Sequence, residues 1–490
     1  MGRLPTFEFL AVLAFVALSV ATVSTPPSTL RPIDIAALTS GTAEESWTGI
    51  FIGEAHVGYS VARESPTEGG GRLFEQRGSF ALGAMGTTQQ VTTGGTAVTD
   101  AAGRLLRFDF LLSSPLLVLV RGEVQPGSVH VEVQQGGEVS VVDVPLAEAP
   151  TLSLTATRQL AGKELRPGDI FELPYFDPLT VTASTMRITV EAPELLPDGE
   201  VGHWLSMNTG GVVTRRLVDG KGTILREEGA LGLRSVRMSK VEAMAVDEGA
   251  APDLVALSST PLTGFIDPAR PLGPLTLKVL GVPPGSVPGE GTIQVVEGDR
   301  VTLSTPPAHL WPTLPVAGTE ANEPSLTLPS THPEIVAKAR AVVGDAPDRS
   351  TAAKRLADFV FAYVTKVPTL GIPNGLDVLR SGQGDCNEHT ALYVSLARAV
   401  GIPSRIAAGL VYNSRLGPAM YYHAWPEVKL GPGESWVAID PTFGQFPADA
   451  THLKLVTGDL DRQIEILSTM GKIRLEVAVP ALPSDKQPPP

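Results

Sequence analysis

Short runs in which apolar and polar residues alternate dominate the first half of the chain. This pattern is typical of half-buried strands, because successive side chains of a strand point to opposite faces of the sheet. Turn signals such as Asp198-Gly199 and Asp219-Gly220 separate the runs. The clearest runs are 47–61, 105–112, 129–133, 139–144, 180–190 and 211–217. We therefore predict an all-β domain over residues 45–248, which is an antiparallel sandwich, a barrel or a half-barrel.

The predicted β-rich domain has no His, Asp, Glu or Ser in a spacing that suggests catalysis. Binding or scaffolding is therefore the default expectation for it. A Pro-rich segment follows at residues 250–330, with a few short strand-like runs inside it. Proline removes a backbone donor and interrupts regular elements, so this segment is either an extended connector or a small second β-module.

From about residue 331 the apolar residues recur at helical spacing. The third predicted helix ends at Gly401, with Pro403 just beyond it, which is a strong C-terminal signal. Helices followed by antiparallel strands predict an α+β domain over residues 331–475. The predicted helices cover 333–343, 350–365 and 386–400, and the predicted strands cover 406–412, 421–430 and 435–440. The Pro-rich tail, 476–490, is predicted to be disordered.

The N-terminus has the pattern of a targeting segment. Arg3 precedes an apolar run at residues 9–23, and Pro26-Pro27 follows shortly after it. Such a run suits the core of a signal peptide and is shorter than the roughly 20 apolar residues that span a membrane comfortably. We therefore expect residues 1–25 to be a signal peptide or, as the alternative, an N-terminal membrane anchor. The protein would then be exported, to the periplasm or cell envelope or as a secreted protein.

Charge and cysteine content narrow the possible functions. The net charge of −14 argues against a nucleic-acid partner, since phosphates are neutralised by basic surfaces. The chain has a single cysteine, which rules out an intramolecular disulfide and a zinc site built mainly of thiolates. A lone cysteine is either a small buried apolar residue or a reactive thiol, and its surroundings decide between them.

Cys386 stands where a glycine-containing loop, residues 381–385, becomes the third predicted helix. Glycines allow a sharp turn that leaves the thiol open to a substrate. The unpaired N–H groups and the positive dipole end of a helix N-terminus favour a thiolate, which is the nucleophile that acyl transfer requires. We therefore expect a lowered thiol pKa and a catalytic cysteine.

His423 and Asp440 lie on the last two predicted strands, which a turn at Gly431-Pro432-Gly433 would join. If Lys429 pairs with Glu434, the ladder places His423 directly opposite Asp440. A register shifted by two residues places Trp425 opposite Asp440 and leaves His423 diagonal to the carboxylate. Both registers put the two side chains on one face and within reach of each other, and the sequence does not choose between them.

Four motifs resemble the bacterial transglutaminase-like superfamily in order, spacing and flanking residues. They are Gly384-Asp385-Cys386-Asn387-Glu388-His389-Thr390, Ala397-Arg398-Ala399-Val400-Gly401-Ile402-Pro403-Ser404-Arg405, His423-Ala424-Trp425-Pro426-Glu427-Val428 and Asp440-Pro441-Thr442. The resemblance implies a papain-like α+β fold over about 331–469. It also implies a nucleophilic Cys386, a general base His423 and an orienting Asp440.

Further residues are weaker candidates. The superfamily often places an oxyanion donor before the cysteine, and Gln383 and Asn374 are the candidates here. Trp425 could line the substrate cleft or pack in the core. His389 suggests a metal set with Cys386, His423 and Asp440 as an alternative, but one thiolate makes a poor structural zinc site. We therefore expect no metal and no cofactor.

These observations predict a thiol enzyme that acts on an amide bond of a peptide or protein, a cell-wall peptide included, through a thioester. Resolution of the thioester by water would make it a hydrolase, and resolution by an amine would make it a crosslinking acyltransferase. The alternative is a non-catalytic envelope protein that uses the same cleft for binding or assembly. No nucleic-acid partner is expected.

Overall fold

The structure is a computed structural model, in which the chain divides into two compact units. The structure describes residues 30–39, 43–84, 87–114, 116–220, 222–247, 249, 251–266, 274–291, 293–305, 313–316, 323–369, 372–432 and 435–478. The first unit comprises Met1–Leu257, Val367–Pro373 and Leu460–Ser468, and the second comprises Ser258–Lys366, Asn374–Asp459 and Thr469–Pro490. The predicted signal or anchor segment, 1–25, lies outside the described residues. Among the residues that are described, no helix is both long and apolar enough to cross a membrane.

The first unit is mostly strand. In chain order its elements up to residue 257 are α1 (Ile35–Leu38), β1 (Glu44–Ile52), β2 (Ala55–Pro66), β3 (Arg72–Ala84), β4 (Thr87–Thr99), β5 (Leu105–Ser114), β6 (Leu116–Gln125), β7 (Ser128–Gln135), β8 (Glu138–Pro145), α2 (Ser153–Ala156), β9 (Ile170–Asp177), β10 (Thr182–Leu195), β11 (Val201–Thr209), β12 (Val212–Val218), β13 (Ile224–Glu228), β14 (Leu233–Met238), α3 (Lys240–Ala243) and α4 (Leu254–Leu257). The predicted N-terminal all-β region is therefore confirmed.

These strands form one fourteen-stranded sheet within the described residues. Strands β1 to β8 pair with their neighbours in sequence, as do β9 to β14, and β14 returns to pair with β1. Strands β8 and β9 consequently stand at the two edges. The rings of Phe108 on β5 and Phe176 on β9 lie 5.4 Å apart, although nine strands stand between β5 and β9 in the order of the sheet. The sheet therefore curls so that its halves pack face to face, with their alternating apolar residues inside.

The second unit combines helices with a mostly antiparallel sheet. The remaining elements in chain order are β15 (Thr260–Thr263), β16 (Leu275–Leu280), β17 (Gln294–Glu297), β18 (Arg300–Leu303), α5 (Pro333–Val343), α6 (Arg349–Tyr363), β19 (Thr365–Lys366), α7 (Gly375–Ser381), β20 (Gln383–Gly384), α8 (Cys386–Ala399), β21 (Ser404–Tyr412), β22 (Ala419–Val428), β23 (Val437–Ala438), β24 (Leu453–Thr457), α9 (Leu460–Gln463) and β25 (Arg474–Val477). All of these except α9 belong to the second unit.

The main sheet of the second unit has the order β17-β18-β16-β25-β15-β22-β21-β24, and β23 pairs with β22. The Pro-rich segment 250–330 thus contributes four strands to this sheet, namely β15, which pairs with β22 and β25, and β16 to β18, which join through the pairing of β16 with β25. Helices and an antiparallel sheet in one unit confirm the predicted α+β class for the C-terminal domain.

Helix α8 is the centre of the second unit. Every residue from Asn387 to Ala397 is buried, and α8 packs on β21, β22 and the three preceding helices. A helix buried on all sides must satisfy its polar side chains internally. Thr390 does so by donating to the carbonyl of Ala424 on β22 at 3.1 Å, and Ser395 donates to Ala391. The thiol at the start of α8 therefore sits at a fixed place against β22.

The turn into α8 depends on two glycines. Gly382 ends α7 in the left-handed conformation, with φ of +64°. Gly384 lies so close to the next helix that a Cβ placed there would be 2.1 Å from Cβ of Glu388. This closeness lets the Glu388 carboxylate accept the N–H of Asp385 at 3.0 Å, while Asp385 accepts the N–H of Asn387 at 2.9 Å. The two carboxylates form a capping box, which fixes the residue at which the helix starts.

We predict that Gly384→Ala destabilises the second unit by about 1–3 kcal/mol, because the added methyl group overlaps Glu388 and breaks the capping box. Differential scanning calorimetry of the full chain measures the effect. Gly69→Ala is the matched control, since a Cβ there has nothing within 4 Å, and its stability should stay within about 0.5 kcal/mol of the parent. Equal transitions for both variants would show that the helix start tolerates a side chain at 384.

Candidate active site

Cys386 is the first residue of α8, as the sequence predicted, and its side chain is half-buried. Burial raises the pKa of the Cys386 thiol well above its ordinary value, and the carboxylates of Asp385, Glu388 and Asp440 raise it further. The backbone N–H of Ala424 opposes this by donating toward the sulfur. The expectation of a lowered thiol pKa is therefore wrong, because burial and nearby carboxylates outweigh the favourable end of the helix.

His423 immediately precedes Ala424 on β22, where it pairs with Gly409 of β21. Since the Ala424 N–H reaches the Cys386 sulfur, the imidazole and the thiol occupy the same neighbourhood. The His423 ring is stacked on Phe443, with centroids 4.8 Å apart and planes at 6°. This contact and the burial of the ring hold its orientation. Sequence reasoning did not identify Phe443, which lies in the irregular segment after Asp440.

The pairing of β22 with β23 decides between the two registers that the sequence left open. Glu427 pairs with Ala438, and Val428 pairs with Val437. Continued past the strand end, this register places Asp440 opposite Trp425 and diagonal to His423. Nε2 of His423 lies 2.9 Å from Oδ2 of Asp440. An ionised carboxylate can only accept, so Nε2 carries the proton and Nδ1 is the nitrogen available for proton exchange.

Asp440 is fully buried, and its carboxylate accepts four hydrogen bonds from described residues. Its Oδ1 accepts the backbone N–H groups of Thr442 and Phe443, at 2.8 and 3.0 Å. Its Oδ2 accepts Nε2 of His423 and also Nε2 of His452, the latter at 3.1 Å. Burial alone would raise the pKa of this carboxyl, but the two histidines hold it well below its usual range. Asp440 is therefore ionised in the neutral pH range.

His452 is a second histidine at this carboxylate that the sequence did not single out. It lies just before β24 and is buried. Its Nδ1 is 3.1 Å from the carbonyl oxygen of Asp449 and 3.3 Å from Oδ1 of the same residue. Burial would lower the pKa of His452, but the hydrogen bonds to Asp440 and Asp449 raise it to about 9. No periodic pattern connects His452 to the other site residues.

Among the described residues, His423, Asp440 and His452 are arranged so that they could hold a metal ion. One ligand atom each from His423, Asp440 and His452 lies within 4.8 Å of the others. Their closeness follows from the two hydrogen bonds that meet on Oδ2 of Asp440. His389 is not part of this group. It is buried, and its Nδ1 lies 2.6 Å from the carbonyl oxygen of Asp385.

The weaker candidates occupy different environments. The Asn374 amide caps α7, because its oxygen accepts from Leu376 and its nitrogen donates to the carbonyl of Leu326. Trp425 is buried to 1% exposure, and its indole N–H has no partner among the described residues. Gln383 is exposed, three residues before the thiol. Of these three candidates, Gln383 is therefore the one whose polar group is exposed and could contact a substrate.

Residues 336–441 match the Transglutaminase-like superfamily. This part of the chain is a transglutaminase-like domain. The match begins in α5 and ends just after Asp440, so it includes Cys386, His423 and Asp440 and leaves His452 outside. The transglutaminase-like domain therefore carries the predicted site, while the β-rich first unit lies beyond the match.

Several solved structures share local similarity with the chain. One is a candidate cysteine protease from Cytophaga hutchinsonii, at 15% identity over 42% of this chain and 81% of that one, with a TM-score of 0.27. Another is a β-barrel-like protein of unknown function from Brucella abortus, at 11% identity over 41% and 97%, with a TM-score of 0.33. Scores this low carry no argument about fold or function. No curated protein matches the chain.

The raised pKa of His452 predicts a pH-dependent contribution to stability. A group whose pKa is higher in the folded state stabilises fully below its unfolded value, here 6.5, and loses that contribution as the pH rises through about 9. The stability difference between the parent and His452→Gln should therefore shrink by about 3 kcal/mol between pH 6 and pH 9.5. Urea unfolding at several pH values measures it.

His130→Gln serves as the control for that series. His130 pairs with Asp143 at 2.8 Å, but the Asp143 side chain is 63% exposed, and such a pair is worth less than about 1 kcal/mol. A difference for His452→Gln that stays constant from pH 6 to pH 9.5 would mean that the buried imidazole is neutral.

Proposed function

We propose that this protein is an exported thiol enzyme of the transglutaminase type, which transfers the acyl group of a peptide or protein amide through a thioester on Cys386. The observation that supports the proposal is the 2.9 Å hydrogen bond between His423 and Asp440, together with the contact of Cys386 with the backbone of Ala424, the residue next to His423. A nucleophile, a base and an orienting carboxylate are the three parts that such chemistry requires.

The raised thiol pKa defines the first step. A resting thiol is a weak nucleophile, so the proton of Cys386 must pass to Nδ1 of His423 as the sulfur attacks the amide carbonyl. Asp440 holds the imidazole in the required tautomer and stabilises the imidazolium that forms. The imidazolium then protonates the departing amine, which leaves a thioester. Water resolves the thioester to a free acid, and a primary amine resolves it to a new amide.

The tetrahedral intermediate needs donors for its oxyanion. The N–H groups of Asp385 and Asn387 are occupied by carboxylates of the capping box. The exposed amide of Gln383 is therefore the donor that we assign to the oxyanion among the predicted candidates. No cofactor enters this scheme, and no metal is assigned to it.

The substrate class follows from the chemistry of the site and from the sequence. The amide belongs to a peptide or protein, with cell-wall peptide as one source, and the net charge of −14 argues against a nucleic-acid partner. The apolar segment at residues 9–23 supports export, with or without retention of a membrane anchor.

A non-catalytic binding or assembly protein is the second candidate. The high pKa of the Cys386 thiol favours it, because burial among carboxylates is also what a structural cysteine would show. The two functions differ in one respect that can be measured directly, namely whether His423 assists ionisation of the thiol.

We predict that iodoacetamide labels Cys386 of the parent at least about 10-fold faster than Cys386 of His423→Ala near pH 7, because only the parent has a base that accepts the thiol proton. The chain has one cysteine, so intact-mass spectrometry reports this residue alone. Labelling that follows an ordinary thiol titration and is unchanged in His423→Ala would favour the binding protein.

We also predict that Cys386→Ser lowers turnover of a glutamine-containing peptide at least about 10³-fold, since the serine hydroxyl is a poorer nucleophile at this site. Mass spectrometry of the products measures turnover, with and without an added primary amine. Free acid alone identifies a hydrolase, and an amine adduct identifies an acyltransferase. Circular dichroism should show an unchanged fold, and activity that persists in Cys386→Ser would refute the nucleophile.

A further inference from the structure

The most unusual group near the site is the imidazole of His452, which no part of the proposed mechanism uses. It donates from Nε2 to the same oxygen of Asp440 that receives His423. Its other nitrogen faces the carbonyl oxygen and a carboxylate oxygen of Asp449. Both nitrogens thus face acceptors, which is the arrangement of an imidazolium. The ring is held edge-on to Trp425, with centroids 5.1 Å apart.

The charged groups around His452 come from several elements. Asp440 follows β23, Asp449 lies on the same loop as His452, and His423 lies on β22 with its ring centroid 5.8 Å away. A small cavity beside the ring is also bordered by charged side chains. These are Glu290, Glu427 and Lys454.

The charges of that second group are balanced among themselves. Lys454 pairs with Glu427 at 2.8 Å and with Glu290, and Arg405 pairs with both glutamates at 2.6 and 2.5 Å. Two cations therefore face two anions. Burial lowers the pKa of Lys454 to about 8, so this lysine titrates in the same range as His452 and must be separated from it experimentally.

We propose that His452 is a positioning residue, which holds Asp440 in place for His423 and whose positive charge sets the pH range in which the Cys386–His423 pair exchanges its proton. This inference rests on the proposed function and names the group that regulates it. His452 acts through the carboxylate that it shares with His423.

The direction of the effect follows from electrostatics. A cation near a titrating pair favours loss of each proton, so it lowers both macroscopic pKa values of that pair. The pKa of His452, about 9, keeps this cation in place through the neutral range. A unit charge at the 5.8 Å between the two rings, at an effective dielectric constant of about 20, corresponds to roughly two pH units.

His452→Gln tests the proposal, because glutamine can still donate to Asp440 but carries no charge. The measurement is the rate of iodoacetamide labelling of Cys386 in the full chain at pH 5.5 to 9.5. We expect the profile to move to higher pH by about one to two units. A purely structural role would lower the rate equally at every pH, and that result, like superimposable profiles, would overturn the proposal.

A second measurement does not depend on the variant folding. The chain contains eight histidines, so ¹⁵N-labelled imidazoles can be titrated individually by NMR, where Lys454 does not contribute. The His452 imidazole of the parent should stay protonated to about pH 9. If it loses its proton below about pH 6.5, the reference value for histidine, the proposal fails. The imidazole signal that disappears in the spectrum of His452→Gln is the one assigned to His452.

His332→Asn is the control variant. His332 caps α5 with its side chain, and asparagine is also a good cap, so the labelling profile should not move. Labelling needs no substrate, which separates this inference from the proposed function. If no peptide is turned over but the labelling profile shifts in His452→Gln, the proposed acyl-transfer function is refuted and the effect of His452 on the Cys386–His423 pair is supported. If peptide is turned over but the profile does not shift, only the proposed effect of His452 is refuted.

Discussion

A negative charge without access to water is the constraint on which the second unit depends. Asp440 is fully buried, and burying an isolated carboxylate costs many kcal/mol unless its lone pairs are satisfied. Two backbone N–H groups and two imidazoles satisfy them. These donors come from β22, from the turn after β23 and from the loop before β24. The carboxylate is stable only when all three segments are in place, so the fold of this region and the geometry of the site form together.

The same requirement explains why His423 has a defined orientation. Asp440 fixes the nitrogen that holds the proton, and the stacked ring of Phe443 fixes the ring plane. The thiol is positioned separately, by the start of α8 and by the backbone of Ala424. Since Thr390 of α8 donates to the carbonyl of Ala424, helix and strand are joined on both sides of this residue. The position of the thiol against β22 is therefore set by contacts with the backbone of Ala424, the residue that follows His423.

Local patterns in the sequence were sufficient to predict the helices and strands and part of the candidate site. Alternation predicted the N-terminal strands, Gly401 and Pro403 marked the end of α8, and residue parity placed His423 and Asp440 on one face. The pairing of β1 with β14 could not be predicted, because it joins Trp47 to Met238 across most of the first unit. His452 was missed for the same reason. It reaches Asp440 through an irregular segment of twelve residues, and no repeat or strand parity connects the two positions.

The helix start shows why a favourable motif does not by itself activate a cysteine. An open helix N-terminus offers N–H groups and a positive dipole end to a thiolate. Here two carboxylates occupy such N–H groups, since Glu388 accepts the N–H of the N-cap residue Asp385 and Asp385 accepts that of Asn387. Burial raises the pKa of the Cys386 thiol, and the charges of these two carboxylates raise it further. The capping that makes α8 begin at Cys386 thus also disfavours the thiolate. A nucleophile in this setting depends on a neighbouring base. The charges around His423, namely the Asp440 carboxylate and the His452 imidazole that also donates to it, then decide how reactive the thiol is.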